Sequence, residues 1–195
     1  MGDIVLVRHG QTEWSANGRH TSRTDLPLTA EGERQARAVG TALAGDKFVA
    51  VISSPRLRAM TTARLAGLTV STVDDDLVEW DYGDYEGLTT KEIRQTRPDW
   101  DLWTQGCPGG ESPDQIAARL DRVLDRVRPM LDGGDVALIS HGHALRTLAA
   151  RWIGEPPTTG RRLKLDTATL SVLGHEHETE VLQRWNQEIR GPLDS

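Results

Sequence analysis

Two short apolar runs constrain this chain more than any other feature. Ile4-Val5-Leu6-Val7 and Val136-Ala137-Leu138-Ile139 are each four residues long and carry no polar residue. Alternation would mark a strand with one wet face. Unbroken apolar character marks a strand covered on both faces, as in a parallel sheet flanked by helices. Each run ends in a basic residue or serine, then histidine, then glycine: Arg8-His9-Gly10 and Ser140-His141-Gly142. In open α/β sheets, ligands bind at the carboxyl ends of the strands. Arg8 offers a planar fork of donors suited to phosphate. His9 offers a nitrogen largely neutral near pH 7, able to attack an electrophile.

The segments between these runs supply the helices. Thr29 with Glu33 nearby starts a helix over about 30–44, with Ala36, Val39 and Leu43 on one face. Phe48 to Ile52 reads as a strand, and Pro55 opens a helix over about 56–66. A short strand is expected at 69–73, an ordered loop at 77–88, a helix at 89–96 and turns over 99–111. Ser112-Pro113-Asp114 opens the strongest helix, about 112–131, with an apolar stripe from Ile116 to Met130. A helix over about 143–153 and strands at about 161–165, 168–174 and 179–184 complete the chain. Strands alternating with helices predict a three-layer α/β/α sandwich, with a mostly parallel central sheet and an antiparallel edge. At 195 residues with no linker or repeat, the expectation is a single domain over 1–195.

Composition excludes several classes. A net charge of -6 argues against a nucleic-acid partner. No apolar run approaches the roughly 18 residues of a membrane span. No signal peptide is evident, and Cys107 is the only cysteine, so a reducing, cytoplasmic setting is expected. Three lysines leave 20 arginines among the 23 basic residues, so one arginine means little without a motif around it.

If the sheet is parallel, Arg8-His9, Ser53-Ser54 with Arg58, and Ser140-His141 share one edge. Two arginines and two histidines converging there suit a phosphate dianion. The stretches Arg8-His9-Gly10, Ser54-Pro55-Arg56-Leu57-Arg58-Ala59, Glu79 with Gly83-Asp84-Tyr85-Glu86-Gly87, and Ser140-His141-Gly142 resemble the histidine phosphatase superfamily in its phosphoglycerate-mutase-like branch. Within that branch the longer stretches are similar to the sedoheptulose-bisphosphatase and acid-phosphatase type.

The resemblance implies a phosphomonoester hydrolase that is independent of metal and cofactor and acts on a small phosphorylated metabolite, a sugar phosphate or bisphosphate. It makes His9 the nucleophile. It gives Arg8, Arg58 and His141 the phosphoryl oxygens, and Glu79 the proton transfers. Gln11, Thr12, Ser15, His20, Thr21, Tyr82, Gly142 and Arg146 are expected substrate contacts, with His143 beside Arg146. The alternative is a cofactor-dependent phosphoglycerate mutase. Ser15 stands where mutases usually carry Asn, and only about 60 residues separate Glu79 from His141, with no evident insertion to enclose a substrate. A metallohydrolase using His141 with His143 or His175 with His177 is a further reading, as is a binding protein without turnover. The late edge strands point to a homodimer.

Overall fold

The computed structural model describes residues 1–189; the last six residues of the expected domain, 190–195, lie outside it. In chain order the elements are β1 (Ile4–Arg8), α1 (Glu13–Asn17), α2 (Ala30–Ala42), β2 (Phe48–Ser53), α3 (Leu57–Leu65), β3 (Thr72–Val73), α4 (Thr90–Thr96), α5 (Leu102–Gln105), α6 (Pro113–Val127), β4 (Asp135–Ser140), α7 (Gly142–Trp152), β5 (Leu170–Glu176) and β6 (Thr179–Gln187).

The six strands form one sheet in the order β3-β2-β4-β1-β5-β6. The first four are parallel, while β5 and β6 are antiparallel. The two apolar runs are neighbours, with Ile4 opposite Val136 and Arg8 opposite Ser140. Both faces are covered, as unbroken apolar runs demand. Val5, Val7, Ala137 and Ile139 meet Val39 of α2 and Ala59 and Ala63 of α3. Ile4, Leu6, Val136 and Leu138 meet Ile116, Leu120 and Val123 of α6 and Leu145 and Leu148 of α7. The sheet is therefore the middle of three layers. Among the described residues, no helix is long and apolar enough to cross a membrane.

Local chemistry explains the helix starts. Thr29 caps α2 by accepting from the N–H of Gly32. Ser112 and Gln115 form a reciprocal capping box at α6, with Pro113 in its first turn. After β1, Thr12 and Ser15 form a capping box that starts α1. Two expectations need correction. The strand expected at 69–73 contracts to Thr72–Val73, a short edge of the kind that limits strand pairing with other chains. Residues 161–165 form no strand; Pro157–Arg162 is a 3₁₀ turn. Its carbonyls are taken by side chains of the site instead of a ladder. Arg146 donates to Gly160 O (3.0 Å) and Arg161 O (3.1 Å), and Arg8 donates to Leu165 O.

Candidate active site

The parallel register carries the ends of β1, β2 and β4 to one edge, and two ladder-like bonds continue it. The His9 N–H donates to Ser140 O at 3.0 Å, and the Ser54 N–H to Ile139 O at 2.9 Å. The chain after His9 is then held by close backbone approach. A Cβ on Gly32 would lie 2.0 Å from Gln11 O, and one on Gly10 would lie 2.4 Å from Gly32 O. Only glycine fits at both positions, and together they let the start of α2 rest directly on the His9 loop. Thr62 of α3 accepts from the Gly10 N–H at 3.0 Å.

His9 is buried, and its ring Nδ1 lies 2.7 Å from Gly10 O. A carbonyl can only accept, so Nδ1 carries the proton and Nε2 keeps a free lone pair; the tautomer is assigned from this bond. Burial, then the guanidinium groups of Arg58 and Arg8, hold the imidazolium form well below its ordinary range. His9 is thus a neutral base in a cavity of about 160 Å3, lined also by Arg8, Thr12, Ser15, Gly18, Arg19, His20, Thr21, Glu79, Tyr82, Gly142, His143, Arg146 and Leu165. Arg8 lines this cavity and its buried Nε–H has no hydrogen-bond partner, while Gly142 leaves room for its guanidinium: a Cβ there would lie 3.2 Å from Arg8 Cζ. An unsatisfied buried donor beside a neutral nucleophile suits an anionic ligand.

Glu79 reaches the same cavity from the irregular segment before Tyr82. Its carboxylate accepts from the N–H groups of His143 (3.1 Å) and Ala144 (2.8 Å), in the first turn of α7, and from its own neighbour Trp80 (2.9 Å). His141 provides no side-chain cap for α7. A glutamate 65 residues away from Ala144 does so instead, where the helix dipole favours negative charge.

Arg58 and His141 are placed beneath the cavity and do not line it. Both are fully buried. Arg58 donates to Thr24 O (3.1 Å), Thr21 O (3.2 Å) and Ser22 O (3.3 Å), so it holds down the loop that carries His20 and Thr21. Its Nε–H donates to His141 Nδ1 at 3.2 Å, which places the His141 proton on Nε2, 2.7 Å from Ser54 Oγ. Burial, then Arg58, keeps His141 neutral.

The remaining expected contacts divide. Thr12, Ser15, His20, Thr21, Tyr82, Gly142 and Arg146 line the cavity. Gln11 does not; it accepts from Thr29 Oγ1 at 2.9 Å. Tyr82 donates to His143 Nδ1 at 2.6 Å, since burial keeps the phenol protonated and His143 neutral. Arg146 stacks 4.7 Å above the Trp103 ring. Arg19 is a wall residue that the sequence reading missed. It donates to Gly87 O at 2.6 Å, and in a chain with 20 arginines nothing local marked it out. The tryptophans Trp80, Trp100 and Trp103 are buried in the larger core cluster. Cys107 is buried, which pushes its thiol up to about 12. His175 packs against Trp152, and His177 occupies the β5–β6 turn. Among the described residues, no group of three or more His, Cys, Asp or Glu is placed to hold a metal ion.

The buried histidines carry a stability consequence. Burial, opposed by Glu86, lowers His20 from 6.5 to about 4. Between those values the unfolded chain binds a proton that the folded chain does not, so stability present above pH 6.5 is lost as pH falls toward 4. His9, His141 and His143 shift in the same direction. The urea midpoint is therefore expected to be lower at pH 5 than at pH 7.5, and His20→Asn should flatten the difference. Equal midpoints for the wild type would contradict this.

Comparison with known proteins agrees with this geometry. Residues 4–188 match the model of the histidine phosphatase superfamily, branch 1, and the chain belongs to that family. An acid phosphatase of Mycobacterium tuberculosis is 45% identical over 181 residues, covering 92% of this chain and 89% of that protein. Sedoheptulose 1,7-bisphosphatase of Saccharomyces cerevisiae is 40% identical over 181 residues, covering 77% and 67% respectively. The solved structure of an open reading frame product of M. tuberculosis superposes with a TM-score of 0.94 at 42% identity, covering 97% of this chain and 99% of that one.

Proposed function

We propose that this protein hydrolyses a phosphomonoester of a small metabolite, a sugar phosphate or bisphosphate, through a phosphohistidine on His9 and without a metal ion. The observation that carries this reading is the His9–Gly10 bond, which occupies Nδ1 and leaves Nε2 as the nucleophilic lone pair of a neutral, cavity-lining histidine. Nε2 attacks phosphorus. The ester P–O bond breaks, its electrons go to the leaving oxygen, and Glu79 delivers the proton that oxygen needs. Water then attacks the phosphohistidine and gives its proton to Glu79, and the N–P bond electrons return to His9. Alcohol and inorganic phosphate leave. Arg8, a wall residue of the cavity, supplies the positive charge that meets the transferring group. Arg58 and His141 support the loop and the ring of His9 from below, the two imidazole centroids lying 5.1 Å apart.

The substrate class rests on the cavity wall. Arg19 and Arg146 stand with Arg8 around one cavity, and the Tyr82–His143 pair and His20 add polar aromatic edges. Such a wall suits a hydroxylated leaving group with a second anionic end. The name of the yeast relative supports a sugar bisphosphate as the type. The lone buried thiol fits a reducing, cytoplasmic setting.

The test is initial-rate phosphate release, with EDTA present, from sedoheptulose and fructose bisphosphates, 3-phosphoglycerate, phosphoserine peptides and p-nitrophenyl phosphate. The expected result is EDTA-insensitive release, fastest from the sugar phosphates. Isomerisation of phosphoglycerate without release would put the chain with the mutases. Rates abolished by EDTA and restored by a divalent ion would overturn metal independence.

A further inference from the structure

Glu79 lies on a segment with no regular structure, and such a segment does not by itself aim a carboxylate. What aims it comes from α6. Arg119, midway along that helix, is 8% exposed, and all five of its N–H donors are engaged. Its Nη1 donates to Asp76 O (2.6 Å) and Val78 O (2.9 Å). Its Nη2 donates to Glu79 O (3.4 Å) and Glu111 Oε2 (2.7 Å), and its Nε to Glu111 Oε1 (2.8 Å). Glu111 then grips the far side of the segment. Its Oε2 accepts from the Asp81 N–H at 2.9 Å, its carbonyl accepts from Trp80 Nε1 at 3.0 Å, and its own N–H donates to Asp81 O at 2.9 Å. The backbone of residues 76–81 is thus held from behind by one ion pair. Neither Arg119 nor Glu111 lines the cavity.

We propose that Arg119, acting with Glu111, is the positioning residue for Glu79. This inference rests on the proton-transfer role given to Glu79 above. The pair fixes the backbone on both sides of Glu79, so that its carboxylate meets the cavity and the first turn of α7 together. A lysine keeps the charge but has three donors on one nitrogen, and it cannot span three carbonyls and a bidentate carboxylate. The neighbouring pairs on α6 do a different job. Arg122 (side chain 56% exposed) and Arg126 bind only the side chains of Asp74 and Asp76 in this region and take no backbone carbonyl of residues 76–81.

The experiment is a double-mutant cycle in steady-state kinetics on an alkyl phosphate: wild type, Arg119→Lys, Glu79→Gln, the double variant, and Arg122→Gln as control. A carboxylate displaced by about 1 Å loses up to ~100-fold in rate, so Arg119→Lys should lower kcat by about 10–100-fold with KM within about threefold. In the Glu79→Gln background the same change should lower kcat by less than about threefold, because the group it positions is gone. Arg122→Gln should leave kcat within about twofold of the wild type, as expected of an exposed pair. Equal losses in the two backgrounds would overturn the proposal. So would a loss confined to KM, a loss proportional to the unfolded fraction by circular dichroism, or an equal loss in Arg122→Gln. If Arg119→Lys does not fold, Glu111→Gln replaces it and must show the same cycle. A wild type that releases no phosphate would overturn the hydrolase reading and this role with it. An active wild type matched by Glu79→Gln would overturn the Glu79 role while hydrolysis stands.

Discussion

The His9→Ala protein is expected to release phosphate at least ~10⁴-fold more slowly than the wild type, because losing a covalent nucleophile removes the whole two-step route rather than one stabilising contact. The ring contributes one internal hydrogen bond, from Nδ1 to Gly10 O, while the loop remains held by Gly32, Thr62 and the ladder bond to Ser140. The variant should therefore melt close to the wild type, which separates lost chemistry from lost fold. Brief incubation with a labelled ester followed by an alkaline quench should leave an acid-labile phosphoryl group on the wild type and none on the variant. Retained activity within tenfold would remove His9 from the mechanism.

Glu79→Gln is expected to show the second-largest loss, about 10²–10⁴-fold in turnover on alkyl phosphates, the usual worth of a positioned general acid–base group. Two effects combine. The amide cannot deliver the proton, and one carboxylate oxygen becomes an NH2 group facing the N–H of His143 or Ala144. A donor facing a donor weakens the start of α7 by about 1 kcal/mol, the scale of a lost helix cap. The leaving group distinguishes the two. An activated ester such as p-nitrophenyl phosphate needs little protonation of its departing oxygen. Its deficit in kcat/KM should be at least about tenfold smaller than that of an alkyl phosphate, if acid catalysis accounts for most of the loss. Equal deficits would reduce Glu79 to a helix cap.

Much of the core chemistry was legible without coordinates because it sits at strand ends. A four-residue apolar run needs cover on both faces, and the basic or polar group after it must emerge at an edge. Arg8, His9, Ser54 and His141 follow from that rule once the strands are parallel. The substrate wall was less legible, since it comes from loops whose conformation is set by distant partners. Thr12 and Ser15 read as ligand contacts and are first a capping box, although both also line the cavity. Gln11 read as a contact and faces Thr29 instead. Residues 161–165 carried a strand pattern, yet the carbonyls of Arg161 and Leu165 are taken by Arg146 and Arg8. Arg19 carried no motif.

From the amino-acid order alone came the three layers, the parallel pairing at the centre and the set of groups able to meet a phosphate. Each follows from short-range rules: period of hydrophobicity, caps, and turn residues. The tertiary structure decided which nitrogen of His9 is free, that Arg58 and His141 lie under the cavity, and that Glu79 caps α7 while Arg119 holds it from behind. Those facts depend on hydrogen bonds between residues 40 to 83 positions apart, apart from the local bond at His9. No local pattern encodes them, because a buried donor takes whichever acceptor the packed layers bring within about 3 Å of it.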